Sequence, residues 1–169
     1  MAGIEKPMAQ YLKERPNLKF IFFGGKGGVG KTVMAGVTAT WFAQQGRKTM
    51  LASTNPVHSL SGLLDQNVYG QPTAVNGVPN LWAYEIDTKE TVERSKVEIK
   101  NQIQWFLKFA EISTQADAFV ESATMNPAFE ESAMFENMVD LMFNNEYDVY
   151  VFDTAPTANA RRLLGMSKV

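Results

Sequence analysis

Residues 18–32 read Leu-Lys-Phe-Ile-Phe-Phe-Gly-Gly-Lys-Gly-Gly-Val-Gly-Lys-Thr, an apolar run that passes into a glycine-rich segment. The run at residues 18–23 is short and apolar and ends in glycines, which predicts a buried β-strand. Residues 25–32 match the pattern G-x-x-x-x-G-K-[ST] in full. Glycines there allow positive φ angles and let several backbone N–H groups face an anion closely. The stretch therefore predicts a strand followed by a loop that holds the phosphates of a nucleotide.

A helix is predicted directly after the glycines. Apolar residues recur there at helical spacing, and Gly46 lies where the helix should stop; these residues are Val33, Val37 and Trp41, with Met34 and Phe42 beside that line. Such a helix adds its N-terminal N–H groups and dipole to the phosphate loop. The alternative is a glycine-rich turn that matches the pattern by accident. A strand before the loop and a helix after it favour the phosphate site.

Three further strands are predicted, at residues 48–53, 81–86 and 147–152. The last delivers Asp153 to its carboxyl end, where a carboxylate of a magnesium site should lie. Residues 69–80 contain two glycines and two prolines and are predicted to form a loop or linker. Four strands alternating with helices indicate an α/β fold: a three-layer P-loop domain with a mainly parallel sheet and helices on both faces.

Two long helices are predicted between the third and fourth strands. Asp87 can cap the first, with Glu90 three places on as in a capping box. Apolar residues share one face of that helix: Ile99, Ile103, Phe106, Leu107 and Ala110. The second helix is predicted at about residues 129–144, after Pro127.

Composition narrows the class of protein. The 169 residues fit one domain of ordinary size, and a hydrophobic content of 45% is enough for a core. The net charge of −2 argues against a general polyanion binder, so no nucleic-acid partner is expected. The chain has no Cys, which excludes disulfides and thiolate metal sites in this stretch and fits a reducing compartment. No secretory signal and no membrane span are found, so we expect a soluble, cytoplasmic protein.

Four segments resemble one family, the arsenite-pump ATPases and their relatives that target tail-anchored membrane proteins. Residues 24–32 are similar to its deviant Walker A motif. Residues 53–61, Ser-Thr-Asn-Pro-Val-His-Ser-Leu-Ser, resemble its switch I, usually S-T-D-P-A-H-S-L-S. Residues 127–131, Pro-Ala-Phe-Glu-Glu, are similar to its P-G-x-D-E segment. Residues 147–157 match its strand and switch II almost letter for letter.

The resemblance covers about residues 18–165 and implies a domain division. Residues 1–17 would be an N-terminal extension, and residues 18–169 the N-terminal part of a P-loop ATPase domain. Helical segments at residues 88–145 would lie between the switch motifs. Family members run on for another half or more, with the adenine-recognition loops in that part, so we expect a fragment of a longer protein.

The resemblance implies an ATPase that uses ATP and Mg²⁺. Lys26 would reach across a dimer interface to the partner's nucleotide, and Lys31 would hold the β- and γ-phosphates. Thr32 would ligate magnesium, and Asp153 would bind a magnesium-ligating water. The implied catalytic residues are Lys26, Lys31 and Asn55, and the implied nucleotide-binding residues are Gly25, Lys26, Gly27, Gly28, Val29, Gly30, Lys31, Thr32, Asn55 and Pro56.

Asn55 is the largest departure from the family pattern, which has an aspartate that positions or polarises the attacking water. An amide cannot accept a proton at neutral pH, and loss of an essential general base costs roughly 10²–10⁴ in rate. Phosphoryl transfer depends mainly on positioning and charge, and a neutral Gln orients water in other hydrolases. We therefore expect slow hydrolysis. Val33 in place of Thr or Ser, and Ala128 in place of Gly, are smaller departures.

The implied partners are a second copy across the nucleotide site and either a membrane-protein client helix or a membrane pump subunit. The absence of Cys favours targeting over the pump in this stretch. A partial client groove is one hypothesis for the Met and aromatic residues, and ordinary core packing is its alternative; the residues are Met125, Met134, Met138, Met142, Trp105, Phe106, Phe109, Phe129 and Phe135. His58 is interpreted as part of switch I rather than a catalytic base. Two rival functions remain: a non-hydrolysing nucleotide-binding module, and a partition- or septum-placing-type ATPase.

Overall fold

The computed structural model describes residues 7–25, 28–54, 59–109, 121, 124 and 127–154. In this part of the chain, five strands form one sheet in the order β1-β5-β2-β4-β3. Their bounds are β1 Phe20–Phe23, β2 Thr49–Ser53, β3 Thr73–Ala74, β4 Leu81–Glu85 and β5 Val149–Asp153. Pairing is parallel along β1, β5, β2 and β4, and β3 alone is antiparallel, to β4. The carboxyl ends of four strands therefore meet at one edge of the sheet.

Within the described residues, five helices have defined bounds: α1 Met8–Lys13, α2 Lys31–Gln44, α3 Ser59–Leu64, α4 Thr88–Phe109 and α5 Pro127–Phe143. One core cluster joins α1, α2 and α3 to the sheet face that carries Leu51 and Val151. A second cluster joins α5 to the opposite face, which carries Met50 and Phe152. The mainly parallel sheet with helices on both faces is confirmed.

The two central strands, β2 and β5, are buried along their whole length. The side chains of a strand alternate between the faces, so a strand covered on both sides must be apolar at nearly every position. The Val149–Asp153 strand meets this requirement up to its last residue. Phe152 stacks on Phe22 of β1, with ring centroids 4.9 Å apart. These apolar runs explain why the strand predictions agree with the structure to within two residues.

The prediction of a loop or linker at residues 69–80 was wrong in part, because the sheet of the described residues has five strands rather than four. Thr73–Ala74 forms the short edge strand β3, and Tyr69 makes an isolated bridge to Glu85. The Val75 N–H donates to the Leu81 carbonyl at 2.9 Å. Two residues carry no readable periodicity, so this strand exists because the β4 backbone offers it a partner.

Helix α2 forms where it was predicted, and Gly46 follows its end with φ 81°. The apolar line identified from the sequence does not face the sheet, however, since Val33 and Val37 are 50% and 60% exposed. The buried face consists mostly of small residues: Ala35, Gly36, Thr38, Ala39 and Ala43, with Phe42. Small side chains let the α2 backbone lie close to the strands, which apolar periodicity does not reveal.

Helix α4 buries only part of its predicted apolar face. Thr91, Val92 and Ser95 are buried, whereas Phe106 is 59% exposed; Ile99, Ile103 and Leu107 are half-buried, and Ala110 lies outside the described residues. The side-chain amide of Asn137 on α5 donates to the Thr91 hydroxyl at 3.5 Å. Within the described residues, no helix is both long and apolar enough to cross a membrane.

Asp87 caps α4 as expected, because its Oδ1 accepts the Glu90 N–H at 3.0 Å. The Tyr69 phenol also donates to Asp87, and these two bonds hold the pKa of Asp87 below its ordinary value of 3.8. The same bond raises the pKa of Tyr69 to about 12. A lowered carboxyl pKa stabilises the fold above the ordinary pKa, and that contribution is lost as the pH falls through the folded value.

Replacing Asp87 tests the cap. Asp87→Ala should lower the free energy of unfolding by about 1 kcal/mol at pH 7, because the Glu90 N–H loses its acceptor. Asp87→Asn keeps an acceptor oxygen and should lose less. Urea unfolding at neutral and acid pH measures both. The gap between the parent and Asp87→Asn should close at acid pH, where the parent's Asp87 is protonated; a gap independent of pH would contradict the charge argument.

Candidate functional site

The glycine-rich loop begins at the carboxyl end of β1, beside the end of β5. Both the backbone N–H and the hydroxyl of Thr154 donate to the Phe23 carbonyl, at 3.0 and 3.1 Å. The Thr54 N–H donates to the Asp153 carbonyl at 3.1 Å, which ties the end of β2 to the same place. The ends of three adjacent strands are thus joined under the start of the loop.

A cluster of hydroxyl groups surrounds the carboxylate of Asp153, which is fully buried at 0% exposure. The Thr32 hydroxyl donates to Asp153 Oδ2 at 2.6 Å. The Ser53 hydroxyl donates to the same oxygen at 3.5 Å, and Ser59 Oγ lies 3.4 Å from Thr32 Oγ1. Asp153 Oδ1 is the one fully buried side-chain polar atom in the described part of the chain with no hydrogen-bond partner. A buried oxygen of this kind normally has a partner, so its free lone pairs point to a water or an ion.

The loop itself supplies a concave stretch of backbone. Gly28 and Gly30 have φ angles of 77° and 81°, in the left-handed region that side chains rarely adopt. Gly30 is the N-cap of α2, and the Met34 N–H donates to its carbonyl at 3.0 Å to begin the helix. Gly28, Val29 and Gly30 are all exposed. An open loop of backbone at the N-terminus of a 14-residue helix suits an anion.

The structure describes seven of the eleven residues of the predicted site. The described residues are Gly25, Gly28–Thr32 and Asp153. Among them, the structure brings Thr32 and Asp153 into hydrogen-bond contact. The predicted residues Lys26, Gly27, Asn55 and Pro56 lie outside the described residues, as does His58.

Two contributors to this region were missed by sequence reasoning. Ser59 contacts the P-loop threonine, and Glu85, at the end of β4, is 1% exposed and contacts the first turn of α3. Glu85 had a readable signal, because it occupies an inward position of the alternating strand Leu81–Glu85 where a charge is costly to bury. Ser59 lies within the switch I stretch at residues 53–61, but its contact with Thr32, 27 residues away along the chain, was not predicted.

The residues present fit a magnesium ion whose remaining ligands would be phosphate oxygens and water. Among the described residues, no group of three or more His, Cys, Asp or Glu could enclose a metal. Mg²⁺ does not require such a group, because it keeps several waters and takes few protein ligands beside substrate phosphates. One hydroxyl, from Thr32, and one carboxylate with a free oxygen, from Asp153, match that pattern.

This fold, with a glycine loop between β1 and α2 and an aspartate at the end of the neighbouring strand, defines the class of P-loop nucleotide-binding proteins. The family model described as "Anion-transporting ATPase" matches residues 18–169. The chain therefore belongs to the anion-transporting ATPase family.

Individual relatives agree with this assignment. ATPase ASNA1 homolog 2 of Paramecium tetraurelia is 37% identical over 164 residues, which cover 97% of this chain and 49% of the relative. ATPase asna-1 of Caenorhabditis elegans is 37% identical over 156 residues, covering 89% and 46%. ATPase GET3A of Arabidopsis thaliana is 33% identical over 163 residues, covering 96% and 42%. The chain thus spans about half the length of these relatives.

Two glycines that share open space at the Cβ position but differ in backbone conformation test the shape of the loop. Gly30→Ala should lower the free energy of unfolding by about 1–2 kcal/mol, because Ala is strained at φ 81°. Gly62→Ala is the matched control: it lies within the helix α3, with open space at its Cβ position. That change should raise stability by about 0.5–1 kcal/mol. Thermal or urea unfolding measures both, and equal effects at the two sites would refute the left-handed loop.

Proposed function

We propose that this chain is the phosphate-binding part of an ATPase that acts as a dimeric switch. The observation that carries the proposal is the 2.6 Å hydrogen bond from Thr32 to Asp153, whose other carboxylate oxygen is buried without a partner beneath an exposed glycine loop. A hydroxyl and a carboxylate so placed suit a magnesium nucleotide. Family membership supports ATP as the nucleotide.

In this proposal the glycine loop and Lys31 bind the phosphates, and other side chains hold the magnesium ion beside them. Residues 25–32 supply backbone N–H groups, and Lys31 supplies a positive charge to the outer phosphates. Thr32 and Asp153 hold Mg²⁺, directly and through water. When bound, the ion neutralises phosphate charge. Lys26 reaches the nucleotide of a second copy, so that ATP closes a homodimer across the site.

Asn55 and Pro56 complete the site in this proposal by responding to the γ-phosphate. Asn55 positions the attacking water through its amide, which orients but does not take a proton. Positioning without a general base supports slow turnover. The rival is a module that binds ATP without hydrolysing it, and Asn55 is the residue that favours this rival.

Measuring phosphate release from Mg-ATP distinguishes a slow ATPase from a module that binds ATP without hydrolysing it. The parent chain should release phosphate slowly, above the level of Lys31→Ala, which lacks the charge on the outer phosphates. Asn55→Asp should be at least ten-fold faster, since a positioned general base contributes typically 10²–10⁴ in rate.

Each alternative result has a definite meaning. A parent at the Lys31→Ala level with an active Asn55→Asp variant would favour the non-hydrolysing module. Equal rates for the parent and Asn55→Asp would show that the amide positions water as well as a carboxylate does. No turnover by any variant would refute ATP hydrolysis by this chain.

We further propose delivery of a membrane-protein helix as the output. The support is an aromatic patch on α4 formed by Trp105, Phe106 and Phe109, which are 69%, 59% and 77% exposed. The rings of Trp105 and Phe109 stack with centroids 5.7 Å apart. Adjacent exposed aromatic rings are typical of a binding surface. Met134 and Met138 are buried in the core, which leaves them out of this surface, and Met125 lies outside the described residues.

Anion efflux through a membrane pump subunit is the second candidate output, and the description of the family supports it. The absence of Cys from the chain favours targeting, because an arsenite site of three thiolates is excluded here. A partition-type role on DNA is disfavoured by the net charge of −2. A cytoplasmic location belongs to the same proposal.

Removing the patch tests the targeting output. The Trp105→Ser, Phe109→Ser double variant should lose most crosslinking to a hydrophobic 20-residue transmembrane peptide, because the exposed rings are its contact surface. Its affinity for ATP should not change. Phe143→Ser is the control, since Phe143 is 82% exposed at the end of α5. Equal loss in the control, or no loss in the double variant, would argue against the patch as a client site.

A further inference from the structure

Glu85 is a buried carboxylate that the proposed chemistry does not use. It is the last residue of β4 and is 1% exposed. Its Oε1 accepts the backbone N–H of Leu60 at 2.6 Å, and its Oε2 accepts the hydroxyl of Ser61. The two oxygens of one side chain therefore bind two consecutive residues in the first turn of α3.

The first turn of α3 is also held from other directions. Ser59 Oγ lies 3.4 Å from the Thr32 hydroxyl. Leu60 is fully buried in the core cluster, and the Ser61 hydroxyl accepts the Val68 N–H at 3.2 Å. Three consecutive residues thus join the phosphate loop, the core and β4.

Residues 55–58 connect β2 to α3, and both of these flanking elements are anchored. The end of β2 is tied to the site, since the Thr54 N–H donates to the Asp153 carbonyl at 3.1 Å. The beginning of α3 is tied to Glu85. The two elements that flank residues 55–58 are therefore both anchored beside Thr32 and Asp153, through Thr54 at the end of β2 and Ser59 at the start of α3.

A carboxylate is a costly choice for this position if packing were its only role. Replacing buried charged groups by well-packed apolar side chains of similar volume is often neutral or stabilising. The N–H of Leu60, in contrast, belongs to the first turn of a helix, where backbone donors have no partner within the helix. Hydrogen bonds to an ionised acceptor are short and strong, and two oxygens fix both distance and orientation.

We propose that Glu85 is a positioning residue, which fixes the beginning of α3 and thereby holds Ser59 beside Thr32 of the candidate site. It acts on the site through the backbone of α3. The catalytic part of this inference rests on the proposed ATPase function. The positional part does not, because it concerns the protein without nucleotide.

Hydrogen exchange of the Leu60 amide, followed by NMR without nucleotide, tests the positional part. Glu85→Ala should speed exchange at Leu60 by at least ten-fold, and Glu85→Gln by less, because Gln keeps one acceptor oxygen. Val149→Ala is the control: it removes buried volume at the opposite end of β5 and lowers global stability, while both hydrogen bonds from α3 to Glu85 remain. Unchanged exchange in Glu85→Ala, or an equal acceleration in Val149→Ala, would overturn the proposal. Ser61→Ala, which leaves the Leu60 bond intact, provides a milder variant if Glu85→Ala does not fold.

Steady-state hydrolysis of Mg-ATP tests the catalytic part. Glu85→Gln should lower kcat at least five-fold while KM stays within three-fold, because the phosphate loop itself is unchanged. Val149→Ala should leave kcat unchanged. A fall in affinity that matches the fall in kcat would mean a general disturbance of the site and would overturn the positioning role. If the parent has no turnover above Lys31→Ala, the proposed function fails, and the exchange at Leu60 still decides whether Glu85 anchors α3.

Discussion

The hydrogen bond from Thr32 to Asp153 is the contact on which the candidate site depends. It joins the first turn of α2 to the end of β5, across 121 residues of sequence. The bond requires β5 to lie beside β1, from which the loop and α2 follow, and the register pairs Phe23 with Asp153. A parallel pair in this register puts the start of the loop and the carboxylate at the same height. Any slip of one residue would turn Asp153 to the other face of the sheet.

The same register explains why the polar groups are concentrated at one edge. β5 is apolar through Phe152 and ends in Asp153, and β2 ends in Ser53, its register partner. β4 ends in Glu85, paired with Ser53 on the other side. Three adjacent strands therefore terminate in buried polar side chains: a carboxylate, a hydroxyl and a carboxylate. In parallel α/β sheets, ligands bind outside this edge, where the strands end and the loops begin.

The strands and the phosphate loop could be predicted because their signals are local. Buried parallel strands need apolar residues at nearly every position, and a phosphate loop needs glycines at fixed spacing. The edge strand Thr73–Ala74 could not be predicted, because a two-residue pairing depends on the neighbouring strand rather than on its own composition. The buried face of α2 was also misjudged. Its buried face consists mostly of small residues, among them Ala35, Ala39 and Ala43, and small residues carry little apolar signal.

The sequence by itself determined the class of the protein, the glycine-rich loop after the first strand, the aspartate at the end of the last strand, and the departure at Asn55. Each of these is a property of a few neighbouring residues. Only the tertiary structure decided which distant groups meet: Thr32 with Asp153, Ser59 with Thr32, and Glu85 with the first turn of α3. Those contacts follow from the strand order β1-β5-β2-β4-β3. Strand order is set by how the helices and strands pack together, and no local pattern of residues encodes it.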